Sequence, residues 1–292
     1  PMSPKTEAIP AIDKFVLIGD YKQLPAVVRQ NATQAAVNDP LLNGIGLTDC
    51  RQSLFERLIH REQQQGRTHF IGILSKQGRM HPDVADSPTK MFYAEEKLDI
   101  VPCEHQKETS FPYRLPSQCA LDDLLKAHRF LFFNSPTCRQ PNLSDKVNTA
   151  EAQLVAELLQ RIHRFYGQRF DPNHTVGVIV PYRNQIAMIR QAIAQLHLPE
   201  LDTITIDTVE RYQGSQRDVI IYSFTVQNRY QLDFLTANSF EENGRTIDRK
   251  LNVALTRARC QMLITGHSET LKHDPVFNLL IADAQQKGCF IC

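Results

Sequence analysis

The chain has 292 residues, of which 42% are hydrophobic and 22% charged, enough apolar content for a buried core in one large domain or two. Its net charge of +1 argues neither for nor against a nucleic-acid partner, because a binding groove needs only a local basic stripe. No apolar run is long enough to span a bilayer and no secretory leader opens the chain, so a membrane role is set aside. The seven scattered cysteines fit a reducing compartment (cytoplasm, nucleoid or nucleus) better than a disulfide framework.

Pro1–Pro10 is polar and proline-dotted, an irregular lead-in that starts without an initiator methionine and reads as the interior of a longer chain. Phe15–Ile18 predicts a short buried strand, and the Gly19-Asp20 loop after it lies where open α/β sheets place ligands. In that loop, Gln23 has the reach to bridge a phosphate and an attacking water. Asp20 can hold metal-bound water or an arginine, although ordinary turn chemistry accounts for both residues equally well. Asn31–Asp49 gives few signals. Leu54, Phe55, Leu58 and Ile59 have helical spacing within Gln52–Arg61.

Phe70–Leu74 predicts a second strand, after which Gln77, Arg79 and His81 alternate before Pro82. A short helix is expected over Thr89–Leu98. Ile100–His128 is proline-rich and reads as a surface excursion with one helix near Leu121–Ala127. Arg129–Phe133 predicts a strand, and Thr149–Phe165 a helix with an apolar face from Ala152 to Ile162. Thr175–Val180 predicts a buried strand that turns through Pro181-Tyr182-Arg183 into a helix ending near Leu196. The free N–H groups at that helix start suit a backbone phosphate.

Strands are further expected at Thr203–Ile206, Arg217–Phe224 and Gln261–Thr265, with a flexible loop over Asn228–Asn243. Arg249–Arg259 reads as a helix. It carries Thr256, Arg257 and Arg259 in an otherwise small and apolar run, and a guanidinium facing a cleft there can neutralise charge on a transferring phosphoryl group. Solvated arginines on an amphipathic helix are the plainer alternative. Asp274–Gln285 predicts a closing helix, and Cys289-x-x-Cys292 an incidental tail, since no second cysteine pair accompanies it. The alternation of strand and helix implies an α/β fold, a mostly parallel sheet with helices on both faces.

Five stretches stand in order: Gly19–Pro25 (GDYKQLP), Gln77–Pro82 (QGRMHP), Val178–Gln185 (VIVPYRNQ), Thr208–Gly214 (TVERYQG) and Leu251–Arg259 (LNVALTRAR). Each resembles a signature of the superfamily 1 helicases, in their Upf-like branch, and together they span nearly the whole chain. The resemblance implies a RecA-like P-loop NTPase fold. Residues 1–68 would be the tail of a first RecA-like domain and 69–292 the second.

It also implies roles for individual residues. Gln23, Arg79 and Arg257 would be catalytic. Asp20, Gln77, Gln213, Gly214 and Gln216 would contact the nucleotide. Pro181, Tyr182, Arg183 and Thr208 would contact a single strand of DNA or RNA. The cofactors implied are ATP and Mg²⁺, the metal ligands coming mostly from an upstream half-domain in a longer parent protein.

Three departures bear on this reading. No G-x-x-x-x-G-K-S/T phosphate loop and no Asp-Glu dipeptide occurs, so this chain is not expected to hydrolyse ATP alone. Gly78 stands where the family usually has an adenine-stacking aromatic, and Gln216 where it commonly has a ribose-binding glutamate. The expectation is an active motor with looser nucleoside recognition. A binding scaffold with a degraded nucleotide site is the alternative. A dehydrogenase-type domain is remote, because no G-x-G-x-x-G occurs.

Overall fold

The computed structural model describes residues 14–138 and 142–292; the Pro1–Pro10 lead-in lies outside the described residues. The chain forms two compact units, Pro1–Ile73 and Leu74–Cys292. The division falls five residues beyond the boundary expected at 68/69.

In the first unit, Asp39 caps the short Pro40–Gly44 helix by accepting from the N–H groups of Leu41 and Leu42. Ser53 caps Leu54–Gln64 through the Glu56 N–H at 3.1 Å. Side-chain oxygens satisfy here the amide groups that a helix start leaves unpaired. The strands expected at Phe15–Ile18 and Phe70–Leu74 do not form. Phe15–Ile18 is irregular and exposed, and Thr68–Phe70 is a single 3-10 turn. An apolar run becomes a strand only when neighbours complete its ladder, and among the described residues neither run has one.

In the second unit the strands in chain order are β1 (Lys76–Gln77), β2 (Asp99–Ile100), β3 (Phe130–Asn134), β4 (Val176–Ile179), β5 (Thr205–Asp207), β6 (Arg217–Ser223), β7 (Ser239–Glu242), β8 (Arg245–Asp248), β9 (Ala258–Gly266) and β10 (Phe290–Ile291). Six of them make one sheet in the order β10-β3-β9-β6-β4-β5, parallel at every pairing. Consecutive residues of β3, β4, β6 and β9 are buried, so both faces of the sheet are covered, as near-continuous apolar runs require. The Thr149–Tyr166 helix packs on β6, β9 and the Arg183–Ala194 helix. The Pro82–Phe92 helix packs on β9 and the Pro275–Gln286 helix.

Several expectations change. The helix placed at Thr89–Leu98 starts earlier, at Pro82, because proline suits a first helical position and His81 caps it. The supposed loop Asn228–Asn243 is ordered: it holds the Leu232–Leu235 helix and leads into the antiparallel β7–β8 hairpin. The Arg249–Arg259 helix ends at Leu255, so Arg257 lies in a turn and Arg259 in β9. The cysteine tail is not loose, since β10 pairs with β3 and Cys289 is buried. Among the described residues no helix is long and apolar enough to cross a membrane.

Gly177 in β4 meets a close approach. A Cβ there would lie 2.2 Å from the Tyr212 hydroxyl oxygen and 3.0 Å from its Cζ, and that hydroxyl donates to the Thr205 carbonyl at 2.7 Å. Gly177→Ala is expected to destabilise the unit by about 1–3 kcal/mol through overpacking. Tyr212→Phe in the same chain should recover part of the loss. Thermal unfolding of the two single variants and the double variant checks the coupling.

Candidate functional site

Because the sheet is parallel, every connection must return from the carboxyl ends of the strands to their amino ends. The motif residues of the second unit therefore fall into two groups. Thr256-Arg257 leads directly into β9 and Gln213–Gln216 into β6, at the amino ends. Pro181–Arg183 follows β4 and Thr208 follows β5, at the carboxyl ends. Two short helices, Val209–Tyr212 and Arg249–Leu255, pack against each other along the return path, with Lys250 Nζ 3.5 Å from Glu210 Oε1.

At the amino ends, two guanidinium groups converge on Thr256. Arg79 Nη1 donates to the Thr256 carbonyl at 3.1 Å, and Arg257 Nη2 donates to Thr256 Oγ1 at 3.2 Å. Arg79 Nε also donates to Gln216 Oε1 at 3.0 Å. Arg257 is 2% exposed and donates to the carbonyls of Val253 (3.0 Å) and Ser215 (3.4 Å). Among the described residues Arg79 has no carboxylate partner, and burial lowers its pKa from the usual arginine value. A guanidinium held by neutral acceptors keeps its charge for an incoming anion.

Gln77 shapes this corner from within. Its Oε1 accepts from the N–H groups of Arg79 and Met80, and its Nε2 donates to the Met80 carbonyl. Its amide is therefore engaged in holding the turn that aims Arg79. His105 Nε2 is 2.8 Å from the Arg79 carbonyl, and Gln106 Nε2 donates to the carbonyls of Gln77 and Met80. The excursion before β3 thus supplies a brace that nothing in its composition announced. Arg259 stands in β9 and pairs with Asp218 at 2.9 Å, so it is neither on a helix nor simply solvated. Gly214 has φ +85°, a left-handed backbone that favours glycine. At Gly78 a Cβ would meet Cys103 Sγ and Val101 Cβ at an ordinary 3.7 Å, so nothing there requires a glycine.

At the carboxyl ends, Pro181 is buried and Tyr182 is 7% exposed, whereas Arg183 is exposed. The Tyr182 ring stacks on Phe234 at 5.2 Å between centroids. Thr208 is half-buried beside Glu210. Burial pushes the Glu210 carboxyl up, but hydrogen bonds from its own backbone and Thr208, with the Lys250 ammonium, outweigh this and hold it below the usual value. Glu151, fully buried, gathers three strand ends by accepting from Ser135 (3.0 Å), Ser223 (2.6 Å), Thr265 (2.9 Å) and the Thr225 N–H (3.0 Å). Burial raises its pKa and these donors oppose the rise. The Asn148-x-x-Glu151 spacing signals a helix start, but only the assembled sheet brings in the other partners.

In the first unit, Gln23 Nε2 donates to Asp20 Oδ2 at 2.9 Å, and the Lys22 N–H donates to Asp20 Oδ1 at 3.0 Å. The two residues singled out in that loop are brought together. Among the described residues, no group of three or more His, Cys, Asp or Glu is placed to hold a metal ion.

A family model described as an AAA domain matches residues 50–269, well over half of the chain. The Helicase sen1 of Schizosaccharomyces pombe is 31% identical over 277 residues, 93% of this chain and 14% of that protein. The Regulator of nonsense transcripts 1 of Dictyostelium discoideum is 28% identical over 95% of this chain and 18% of its own length. For the Putative helicase MOV-10 of Gallus gallus the figures are 27%, 99% and 29%. The chain belongs to this AAA-domain family, among the superfamily 1 helicases of the Upf-like branch. It spans less than a third of the length of these relatives.

Asp248 caps the Arg249–Leu255 helix through the Leu251 N–H at 2.9 Å. Burial pushes its carboxyl up to about 7 from 3.8. A folded-state pKa above the unfolded value contributes stability that is present below the unfolded pKa and is lost as pH rises through the folded one. This contribution is therefore expected to fade between about pH 4 and pH 7. Asp248→Asn keeps a capping oxygen and should be more stable than the parent at pH 8 but not at pH 4, as read by thermal unfolding across that range.

Proposed function

We propose that this chain is the nucleotide-sensing and strand-gripping part of an ATP-driven superfamily 1 helicase or translocase. In this reading the first unit, through residue 68 or slightly beyond, is the tail of a first RecA-like domain, and the remainder is the second. The observation that carries the proposal is the convergence of Arg79 and Arg257 on Thr256, with Arg79 held by neutral acceptors. That donor set fits the phosphates of ATP. It does not by itself make a Mg²⁺ site, and no step is routed through the metal.

ATP, when bound, supplies the anionic phosphates and the free energy of their hydrolysis. Arg79 and Arg257 stabilise charge on the transferring phosphoryl group, while Gln77, His105 and Gln106 keep Arg79 aimed. Gln23, held by Asp20 at 2.9 Å within the first unit, is the residue that the family resemblance assigns to the attacking water. Gln213 and Gly214 form the turn beside the nucleotide. The Val209–Tyr212 and Arg249–Leu255 helices, tied by Lys250 and Glu210, join this end to the strand-binding end at Pro181–Arg183 and Thr208. A change at the phosphates is thereby passed to the grip on DNA or RNA, in the cytoplasm or the nucleus.

ATP hydrolysis by the complete polypeptide that carries this chain, with and without single-stranded DNA and RNA, tests the proposal. Arg257→Ala is expected to lower strand-stimulated hydrolysis by roughly 10³-fold or more. Thermal unfolding checks that the variant remains folded. Hydrolysis that survives the change unaltered removes Arg257 from the mechanism. Strand binding without any hydrolysis by the parent replaces the motor with a scaffold.

The Arg79–Gln216 hydrogen bond also bears on nucleotide selectivity. Gln216 is neutral and its carbonyl already accepts from Arg79, so it is a weak acceptor for a ribose hydroxyl. The parent should bind ATP and 2′-deoxyATP within about threefold of each other, and Gln216→Glu should widen that gap through a charge-assisted bond. Competition binding with the two nucleotides measures both ratios.

A further inference from the structure

The Pro181-Tyr182-Arg183 turn after β4 is expected to contact the strand, from the free N–H groups of the helix it opens and from the family resemblance. The structure covers its tyrosine and exposes its arginine. Tyr182 lies beneath Phe234, so it offers little ring surface to a ligand. Phe234 itself is flanked by the Lys250 ammonium, 4.1 Å from its centroid. The ring that stands out at this end of the sheet is Tyr230, 61% exposed, in the segment that follows β6.

Tyr230 lines a cleft of about 340 Å³ together with Leu143, Ser144, Asp145, Gln227 and Asn228. Its hydroxyl donates to Asp145 Oδ2, and Gln231 Nε2 donates to the Asp145 carbonyl at 2.9 Å, so the cleft walls are tied together. Gln231 Oε1 in turn accepts from the N–H groups of Gln227 and Asn228, at 2.8 and 3.0 Å. An exposed aromatic in a mobile loop would lose much of its binding energy to ordering; this one is already held.

Three exposed cations adjoin the residues of this end in sequence. Arg229 adjoins Tyr230, and Lys146 adjoins Asp145 with its ammonium 5.9 Å from the Tyr182 ring. Arg183 follows Tyr182. Asp145 and Asp233 are the acidic groups nearby in sequence, and Asp145 is turned to the tyrosine hydroxyl. An exposed ring and exposed cations on the segments that adjoin it suit a strand, which has a base to stack and phosphates to neutralise. Buried peptide anchors call for an enclosed apolar pocket instead, whereas Ser144, Asp145, Gln227 and Asn228 all stand on the walls of this open cleft.

We infer that Tyr230 is a base-stacking platform for single-stranded nucleic acid, with the exposed cations Lys146, Arg183 and Arg229 on the adjoining phosphates. This rests on the strand-gripping function proposed above and gives the carboxyl end of the sheet a contact that none of the five motifs contains. Stacking on a ring tolerates any base, so the platform serves a protein that moves along a strand without reading it.

Fluorescence anisotropy with labelled oligo(dT) and oligo(U), and with an abasic oligonucleotide of the same length, tests the inference on the complete polypeptide. Tyr230→Ala is expected to weaken binding of the base-bearing strands by roughly 5- to 100-fold and to leave the abasic strand unchanged. Tyr230→Phe keeps the ring and should bind like the parent. An unchanged affinity in Tyr230→Ala overturns the inference. So does a loss in Tyr230→Phe equal to that in Tyr230→Ala, which would assign the effect to the Asp145 hydrogen bond. Arg183→Glu separates the two levels. If it weakens binding while Tyr230→Ala does not, the strand-gripping function stands and the platform falls. If the parent binds no strand at all, both fall.

Discussion

β6 and β9 lie side by side and parallel, with Arg217 opposite Ala258 at one end and Ser223 opposite Thr265 at the other. Each strand is entered through a motif turn, and the backbone ladder continues into it: the Arg217 N–H donates to the Arg257 carbonyl at 3.1 Å. The position of Arg257 is therefore set by the sheet as much as by its own helix. Loss of that register would separate Thr256 from Gln216 and leave Arg79 with one fewer neutral partner. Near their far ends the same two strands carry Ser223 and Thr265, both of which donate to Glu151. One pairing thus fixes the corner where Arg79 and Arg257 meet Thr256 and braces the opposite end.

The electrostatic design differs between those ends. Glu151 is a buried acid surrounded by hydroxyl and amide donors, an arrangement that is costly to build and rigid once satisfied. Arg79 is held by a side-chain amide and a carbonyl, which orient it while leaving its charge uncompensated. A carboxylate at that point would orient it more firmly and cancel part of the charge that a phosphate needs. The neutral Gln216 amide therefore orients Arg79 and leaves its charge available. Gly78 has no such role: the backbone does not require it, and its neighbours leave room for a side chain.

Much of the second unit was legible in the chain. FLFF, VGVI and DVIIYS are short, apolar and β-branched or aromatic, and they form β3, β4 and β6 within a residue or two of expectation. The Thr149–Tyr166 and Pro275–Gln286 helices likewise follow their periodicity and caps. Failures cluster where pattern has no partner to act on. Phe15–Ile18 is as apolar as any core strand, yet no ladder forms around it among the described residues. Asn228–Asn243 is polar enough to pass for a loop, yet side-chain hydrogen bonds from Gln231 and the β7–β8 pairing order it.

The sequence alone determined the family, the α/β class and the residue types available for phosphate and strand, because these are written in local spacing and in ordered motifs. Tertiary structure decided which residues meet. Arg79 and Thr256 are 177 positions apart and Glu151 and Thr265 are 114 apart, separations that no local pattern encodes. It also decided which rings are presented: Tyr182 is covered by a phenylalanine from a different connection, while Tyr230 is left open. Exposure is a property of the packed neighbours, and those neighbours come from other parts of the chain.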